Sequence, residues 1–208
     1  MRVEAVGRKR RSGTGKAVAD PPSPDRPAAV RRALRSLVAE RGFHGASMSA
    51  VAKRAGVATG TAYVHYASKE ELVYAAYLEI KSELADAIVA GVDVNPERDV
   101  DPADRWRQMM RAAYRHLSAE PERARFLTQL EESPYRVEAQ CRLDAEGNPL
   151  QALAAEPRLV RLLVRLPPEV LYALSFGVLV KLVAADVSLS RAELDRLITA
   201  TWRAVTVA

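Results

Sequence analysis

Val30, Ala33, Leu34, Leu37 and Val38 recur at intervals of three and four, the period that gathers apolar side chains on one face of a helix. The stripe stops at Arg41-Gly42-Phe43, where Gly42 suits a left-handed helix end. Met48, Val51, Ala52 and Ala55 begin a second, shorter stripe behind Ser47, a residue type that caps helix starts. Gly56 then marks a tight turn. In the short segment that follows, Ala62 and Tyr66 share one side, while Thr59 and Tyr63 share an edge that neighbouring helices need not cover. Ser68 and Glu71 form an S-x-x-E capping box, which starts a helix at Lys69. Its apolar positions continue through Val73, Ala76, Tyr77, Ile80, Leu84, Ala87 and Ile88, to about Val89.

Residues 91–100, with Asn95 and Pro96, are predicted as a loop. Asp101 before Pro102 begins a helix carrying Trp106, Met109, Met110, Ala113 and Leu117, and a further helix is expected from Glu122 to about Glu132. Residues 135–144 continue helically before the break at 144–149. Leu159, Leu162, Leu163 and Leu166 form a stripe with Arg158, Arg161 and Arg165 opposite, a wet face or a surface for an anionic partner. From Val170 to Ala185 nearly every residue is apolar, which predicts one helix covered on more than one side. Ser190 and Glu193 form a second capping box, followed by Leu194, Leu197, Ile198, Thr201, Trp202 and Val205.

A capped helix, a glycine turn and a short exposed helix in succession form a helix-turn-helix, whose second helix enters the major groove of DNA. The order RGF, Ser47, VAKRAGV, TGTAYVHY, SKEEL over residues 28–80 resembles the amino-terminal domain of the tetracycline-repressor (TetR) family of transcriptional regulators. Ala62 departs from the larger aliphatic residue common there, which loosens packing behind the reading helix. Tyr66 replaces a common phenylalanine and merely adds a hydroxyl. The resemblance implies an all-α fold: a helix-turn-helix domain at 27–74, preceded by a basic arm at 1–26 and followed by a helical ligand-binding and dimerisation domain at 75–208.

Charge sharpens this picture. The net +5 divides into +4 over residues 1–26, +4 over 27–74 and −3 over 75–208. Positive charge thus coincides with the motif, as expected of an end that meets phosphate, and such binding falls steeply with salt. The arm shows no apolar period and is expected to be disordered, either a solvated tail or a DNA-tracking segment. The lone cysteine, Cys141, excludes an intrachain disulfide and fits a cytoplasmic protein. No apolar stretch approaches the roughly 20 residues of a membrane span, and no membrane partner is expected. His44, His65 and His116 are scattered, no metal-ligand spacing or phosphate-cradling glycine motif occurs, and Glu131 and Glu132 point apart. Neither an enzyme, a cofactor nor a metal is implied.

Within the motif, the resemblance implies that Ser47 caps its helix and meets a phosphate, and that Thr59 and Gly60 approach base edges. Thr61, Tyr63 and His65 then hold the DNA backbone, and Lys69 adds its charge to a helix N-terminus. Tyr66 is expected in the core; Tyr63 and His65 have the alternatives of core aromatic and plain surface residue. The family also implies an effector pocket, with Trp106, Met109, Met110, Tyr114, Phe126, Gln129, Tyr135 and Tyr172 as candidates. Each of these is equally a candidate for ordinary core, and such a lining suits an apolar or aromatic small molecule. Leu171, Leu174, Val178, Leu182, Leu194, Leu197, Ile198 and Trp202 are the candidates for a four-helix homodimer interface, unless both terminal helices pack within one subunit. The expected function is repression from a palindromic operator, relieved by the effector. The rivals are an activator of the same fold and a helical ligand-binding or protein-interaction module that does not bind an operator.

Overall fold

The computed structural model describes residues 26–92, 100–147 and 157–207. Nearly the whole basic arm and parts of two predicted breaks lie outside the described residues. Helix α1 spans Arg26–Gly45, α2 Met48–Arg54, α3 Thr59–His65 and α4 Lys69–Ala90. After them come α5 (Pro102–Ala119), α6 (Pro121–Glu131), α7 (Arg136–Glu146), α8 (Pro157–Leu162), α9 (Pro168–Ala173), α10 (Phe176–Ala184) and α11 (Arg191–Val205). The chain is all-α. Among the described residues, β pairing is confined to an isolated bridge between Leu163 and Thr206.

The local stop and start signals act where the sequence places them. Ser47 Oγ accepts from the Ala50 amide at 3.2 Å, and Asp101 Oδ1 accepts from the Ala103 amide at 2.8 Å ahead of Pro102. Gly42 sits at φ +70°, so α1 kinks there and runs one short turn further than its apolar stripe. Gly56 sits at φ +68°. Both are conformations that a Cβ strains. The Ser190 box is complete, each partner bonded to the other's backbone. The Ser68 box is only half closed: Ser68 Oγ accepts from the Glu71 amide at 3.2 Å, but the Glu71 carboxylate turns away to Arg142.

Two predicted helices are corrected. The stripe at Leu159–Leu166 is helical only to Leu162, because Val164 donates to Val205 O at 2.9 Å and Val207 to Leu162 O at 2.7 Å. The end of α11 thus captures the chain that would have continued α8. The apolar run from Val170 to Ala185 is two helices, not one. Ser175, at φ −126° and ψ −99°, interrupts it, and its hydroxyl donates to Leu171 O at 2.6 Å.

Packing divides the chain about α4. Helices α1, α2 and α3 close on one another around Leu34, Val38, Val51, Ala52 and Ala62, all with no exposed surface. Beyond them α5 packs against α4, α10 and α11, and α6 packs against α10. Helix α6 also lies directly on α1, and α7 lies on α4. Polar attachments between described residues fasten the first three helices to the rest. Glu79 of α4 receives Arg31 at 2.6 Å and also Arg35 of α1, whose side chain is 5% exposed. Gln129 of α6 donates to Val38 O at 2.8 Å, beside Gly42. Lys69 donates to Phe43 O. Phe43 itself meets Phe126 of α6 and Tyr135 with ring centroids 5.4 and 5.1 Å apart.

Candidate nucleic-acid interface

Helix α3 is short, has no side-chain cap, and buries a single residue, Ala62. Tyr66, immediately after it, is also buried. Everything else that α3 carries faces outward or sits half-buried, so the helix is a ridge held from one side. Thr59, Gly60, Tyr63 and His65 are exposed and Thr61 is half-buried. Tyr63 is 50% exposed, which removes the core alternative for it. Among the described large hydrophobic side chains the most exposed is Val64, at 82%. Sequence reasoning passed over it, although its position four residues after Gly60 put both on one edge. A valine there offers methyl groups without hydrogen bonds, the chemistry that meets a thymine methyl.

The backing of this ridge is firm. Ala62 has no exposed surface. The Tyr66 hydroxyl, expected to be incidental, accepts from Arg31 Nη1 at 2.6 Å and donates to Pro27 O at 3.3 Å. It therefore ties the end of α3 to the start of α1. Arg31 is in turn held above its ordinary pKa first by Glu79 and then by Tyr66. Arg54, a surface arginine close to the motif, makes two bonds to Glu40 at 2.7 and 2.8 Å and one to Ser36 at 2.8 Å. It is occupied within the surface of α1.

Ser47 is exposed and caps α2, leaving its hydroxyl at the protein surface. Lys69 begins α4, half-buried, with its ammonium on the Phe43 carbonyl; burial pushes its pKa down. One of its three N–H groups is thus spent on the end of α1, and two remain for a phosphate.

Of the eight effector candidates, Tyr114 and Tyr135 pack against the connected hydrophobic core that holds four others. Trp106, Met109, Met110 and Phe126 are core residues, each exposed by 5% or less. Trp106 stands 5.9 Å from Phe176 and 5.8 Å from Trp202, and donates to Thr201 Oγ1 at 3.3 Å. Phe126 and Tyr135 belong to the cluster on Phe43, and Gln129 holds Val38. The Tyr114 hydroxyl accepts from the Leu189 amide at 2.8 Å. Tyr172 lies apart from these, its ring beside the Lys81 ammonium. Of the dimer candidates, Leu194 and Ile198 lie inside the subunit. Leu174 is exposed, and Leu171, Val178, Leu182, Leu197 and Trp202 are half-buried. Among the described residues no helix is long and apolar enough to cross a membrane.

A protruding short helix, backed by a capped helix and a left-handed glycine turn, defines a helix-turn-helix regulator. The family described as "Bacterial regulatory proteins, tetR family" matches residues 30–76, and "Tetracyclin repressor-like, C-terminal domain" matches residues 102–206, just over half of the chain. The chain belongs to the TetR family of transcriptional regulators, whose members bind DNA and are not enzymes. A TetR-family structure from Shewanella sp. PV-4 is 28% identical, with a TM-score of 0.72 over 88% of this chain and 99% of that one. One from Marinobacter aquaeolei VT8 is 21% identical and shares the fold, with a TM-score of 0.74 over 88% and 97%. The HTH-type transcriptional regulator UidR of Escherichia coli is 42% identical over 50 residues, 24% of this chain and 26% of that protein. The HTH-type transcriptional activator FasR of Mycolicibacterium smegmatis is 30% identical over 112 residues, 54% of this chain and 49% of that protein. The chain thus spans about a quarter to a half of the length of these two relatives.

Proposed function

We propose that this protein represses transcription as a homodimer on a palindromic operator and leaves the DNA when a small molecule occupies its carboxy-terminal domain. The observation that carries the DNA half is the ridge of α3, with Thr59, Gly60, Tyr63, Val64 and His65 exposed over a wholly buried Ala62. Thr59, Gly60 and Val64 face base edges; Ser47, Thr61, Tyr63, His65 and Lys69 hold phosphates and so position the helix without selecting sequence.

A palindrome needs two readers about one helical turn, roughly 34 Å, apart. Support for a dimer comes from the apolar side chains that α9 and α10 leave uncovered: Val170 and Leu174 remain 39% and 38% exposed, beside half-buried Leu171, Val178 and Leu182. On α11, Leu197 and Trp202 are also half-buried, while Leu194 and Ile198 lie in the core. An effector releases DNA only if it favours a spacing of the two readers that misfits the half-sites.

The test is fluorescence anisotropy of the full chain on its own upstream region, over a range of salt concentrations, with sedimentation to count subunits. A sequence-specific, salt-sensitive complex of two chains per operator is expected. Absence of such a complex refutes the proposal in favour of a helical module that does not bind an operator. The FasR relative is named as an activator. A transcription assay from the bound promoter decides the direction, since repression lowers the transcript and activation raises it.

A further inference from the structure

Lys81 is a charged residue in an apolar position. It lies on the buried side of α4 among Tyr77, Ile80, Leu84, Ala85 and Ile88, and is itself only 6% exposed. Among the described residues the other two strongly buried cations have carboxylates: Arg35 has Glu79, and Arg123 has Glu83 and Glu120. Lys81 has none. Among the described residues no acceptor lies within hydrogen-bond distance of its ammonium. It stands instead 4.8 Å from the ring centre of Tyr172 on α9 and 5.7 Å from that of Tyr77 on its own helix.

The surroundings do not resolve this charge. Two aromatic faces replace part of the lost hydration of an ammonium, and the small exposed part of the side chain leaves the rest to solvent. The Tyr77 hydroxyl is already committed to Gln140 Oε1 of α7 at 3.1 Å, and Gln140 Nε2 to Asp144 at 2.9 Å. The Tyr172 hydroxyl makes no hydrogen bond among the described residues. Glu131 at the end of α6 and Asp144 on α7 act on Lys81 only from a distance, and both are exposed. Burial pushes the Lys81 pKa down to about 8, so the group remains largely a cation at neutral pH.

We infer that Lys81, with Tyr172 beside it, anchors the carboxylate of an organic monoacid whose apolar body lies where α4, α7 and α9 meet. A neutral ligand leaves the ammonium unpaired. A dianion, such as a phosphate monoester, brings one charge more than the site balances, within the field of Glu131 and Asp144. Of the two arginines of α7, Arg142 is engaged with Glu71 and Glu138, and Arg136 at the start of the helix is exposed. A monoacid leaves a neutral, hydrogen-bonded pair. This names the chemical class of the effector proposed above, and rests on that reading for its regulatory consequence alone. Lys81 lies two positions beyond Glu79 on α4, the residue that holds α1, so a ligand paired with it bears on the helix that carries the reading head.

The experiment uses the full chain and a series of straight-chain carboxylates from acetate to dodecanoate with 3-phenylpropanoate. Each acid is matched by its primary amide, and octyl phosphate serves as the dianion. Calorimetric titration of the wild type, Lys81→Met, Lys81→Arg and Tyr172→Phe gives affinities, and melting without ligand confirms that each variant folds. Members of the acid series are expected to bind at least about tenfold more tightly than their amides, the scale of a charge-assisted hydrogen bond. Lys81→Met should remove that preference while leaving amide binding unchanged, and Lys81→Arg should retain it. The Lys81 13Cε resonance should report a pKa raised above about 8 in the complex. Acids that bind no better than amides, a preference for octyl phosphate, undiminished acid binding by Lys81→Met, or no binding by any acid would each overturn the inference. Operator release is measured separately by anisotropy. An acid that binds through Lys81 yet leaves the operator complex intact counts against effector control and upholds the site.

Discussion

Gly60 offers the sharpest separation of stability from function. No heavy atom of the protein lies within 4 Å of where its Cβ would stand, and its φ is outside the left-handed range, so nothing in the fold requires a glycine there. Replacing such a glycine with alanine removes backbone freedom from the unfolded chain and stabilises by about 0.4–1 kcal/mol. For a chain of this size that gain raises Tm by about 1–4 °C. On DNA the sign reverses. If Gly60 lies against a base edge, the added methyl displaces α3 by more than a contact tolerates, with a loss on the scale of a mismatched base pair, about 1–3 kcal/mol per half-site. Gly60→Ala should therefore melt later and bind its operator at least about tenfold more weakly, in calorimetry and anisotropy respectively, since 1.4 kcal/mol is a factor of ten. Wild-type operator affinity in this variant would refute the close approach. A lowered Tm would refute the reading of Gly60 as structurally unneeded.

Four further outcomes follow from the geometry. Glu79→Ala strands Arg35, whose side chain is 5% exposed, and should cost about 3–5 kcal/mol in chemical denaturation; Arg35→Met with Glu79→Met should recover most of it. A loss below about 1 kcal/mol would place this cluster with ordinary surface pairs. Arg142→Met, despite three hydrogen bonds to Glu71 and Glu138, should cost no more than about 1 kcal/mol, because the side chains involved are 35–53% exposed. Gly42→Ala forces a Cβ into φ +70° and should destabilise by about 1–2 kcal/mol, in contrast with the gain at Gly60. Finally, the folded-state pKa of Lys81, about 8, lies below its ordinary 10.5, so between those values the unfolded chain binds the extra proton. Its contribution to stability is complete above 10.5 and lost as pH falls through 8, a change of up to about 3 kcal/mol that Lys81→Met should abolish in denaturation curves at pH 7 and pH 10.

What the sequence disclosed was chiefly what a few neighbouring residues decide among themselves. Ser47, Ser68 and Ser190 cap helices within three residues, and Gly42 and Gly56 turn the chain where a side chain would be strained, so the helix-turn-helix emerged almost whole. The exposure of Tyr63 follows from helical phase, and Val64 could have been found by the same count. The interruption at Ser175 could not, because uniform apolarity from Val170 onward carries no phase to break. Long-range partners were equally silent. Glu71 fits a capping box but finds Arg142 across 71 positions, and the Tyr66 hydroxyl finds Arg31 across 35. Of the aromatic pocket candidates Trp106 and Phe126 are core, which spacing alone leaves open, since it fixes the face a side chain occupies and not which helix covers it.

The Gly42 kink has a mechanical consequence. Helix α4 holds α1 at Glu79 before the bend and through Lys69 on the Phe43 carbonyl beyond it, and α6 holds it at Val38 and Phe43, again on either side. A body pinned at two separated points has lost the swing that one flexible joint would allow. Within a subunit the reading helix is therefore geared to the relative position of α4 and α6: sliding one past the other tilts α3, and moving both together carries it without rotation. On the function proposed above, the quantity that an operator senses is a difference between two helices, which a molecule wedged between them sets without touching the DNA-binding end.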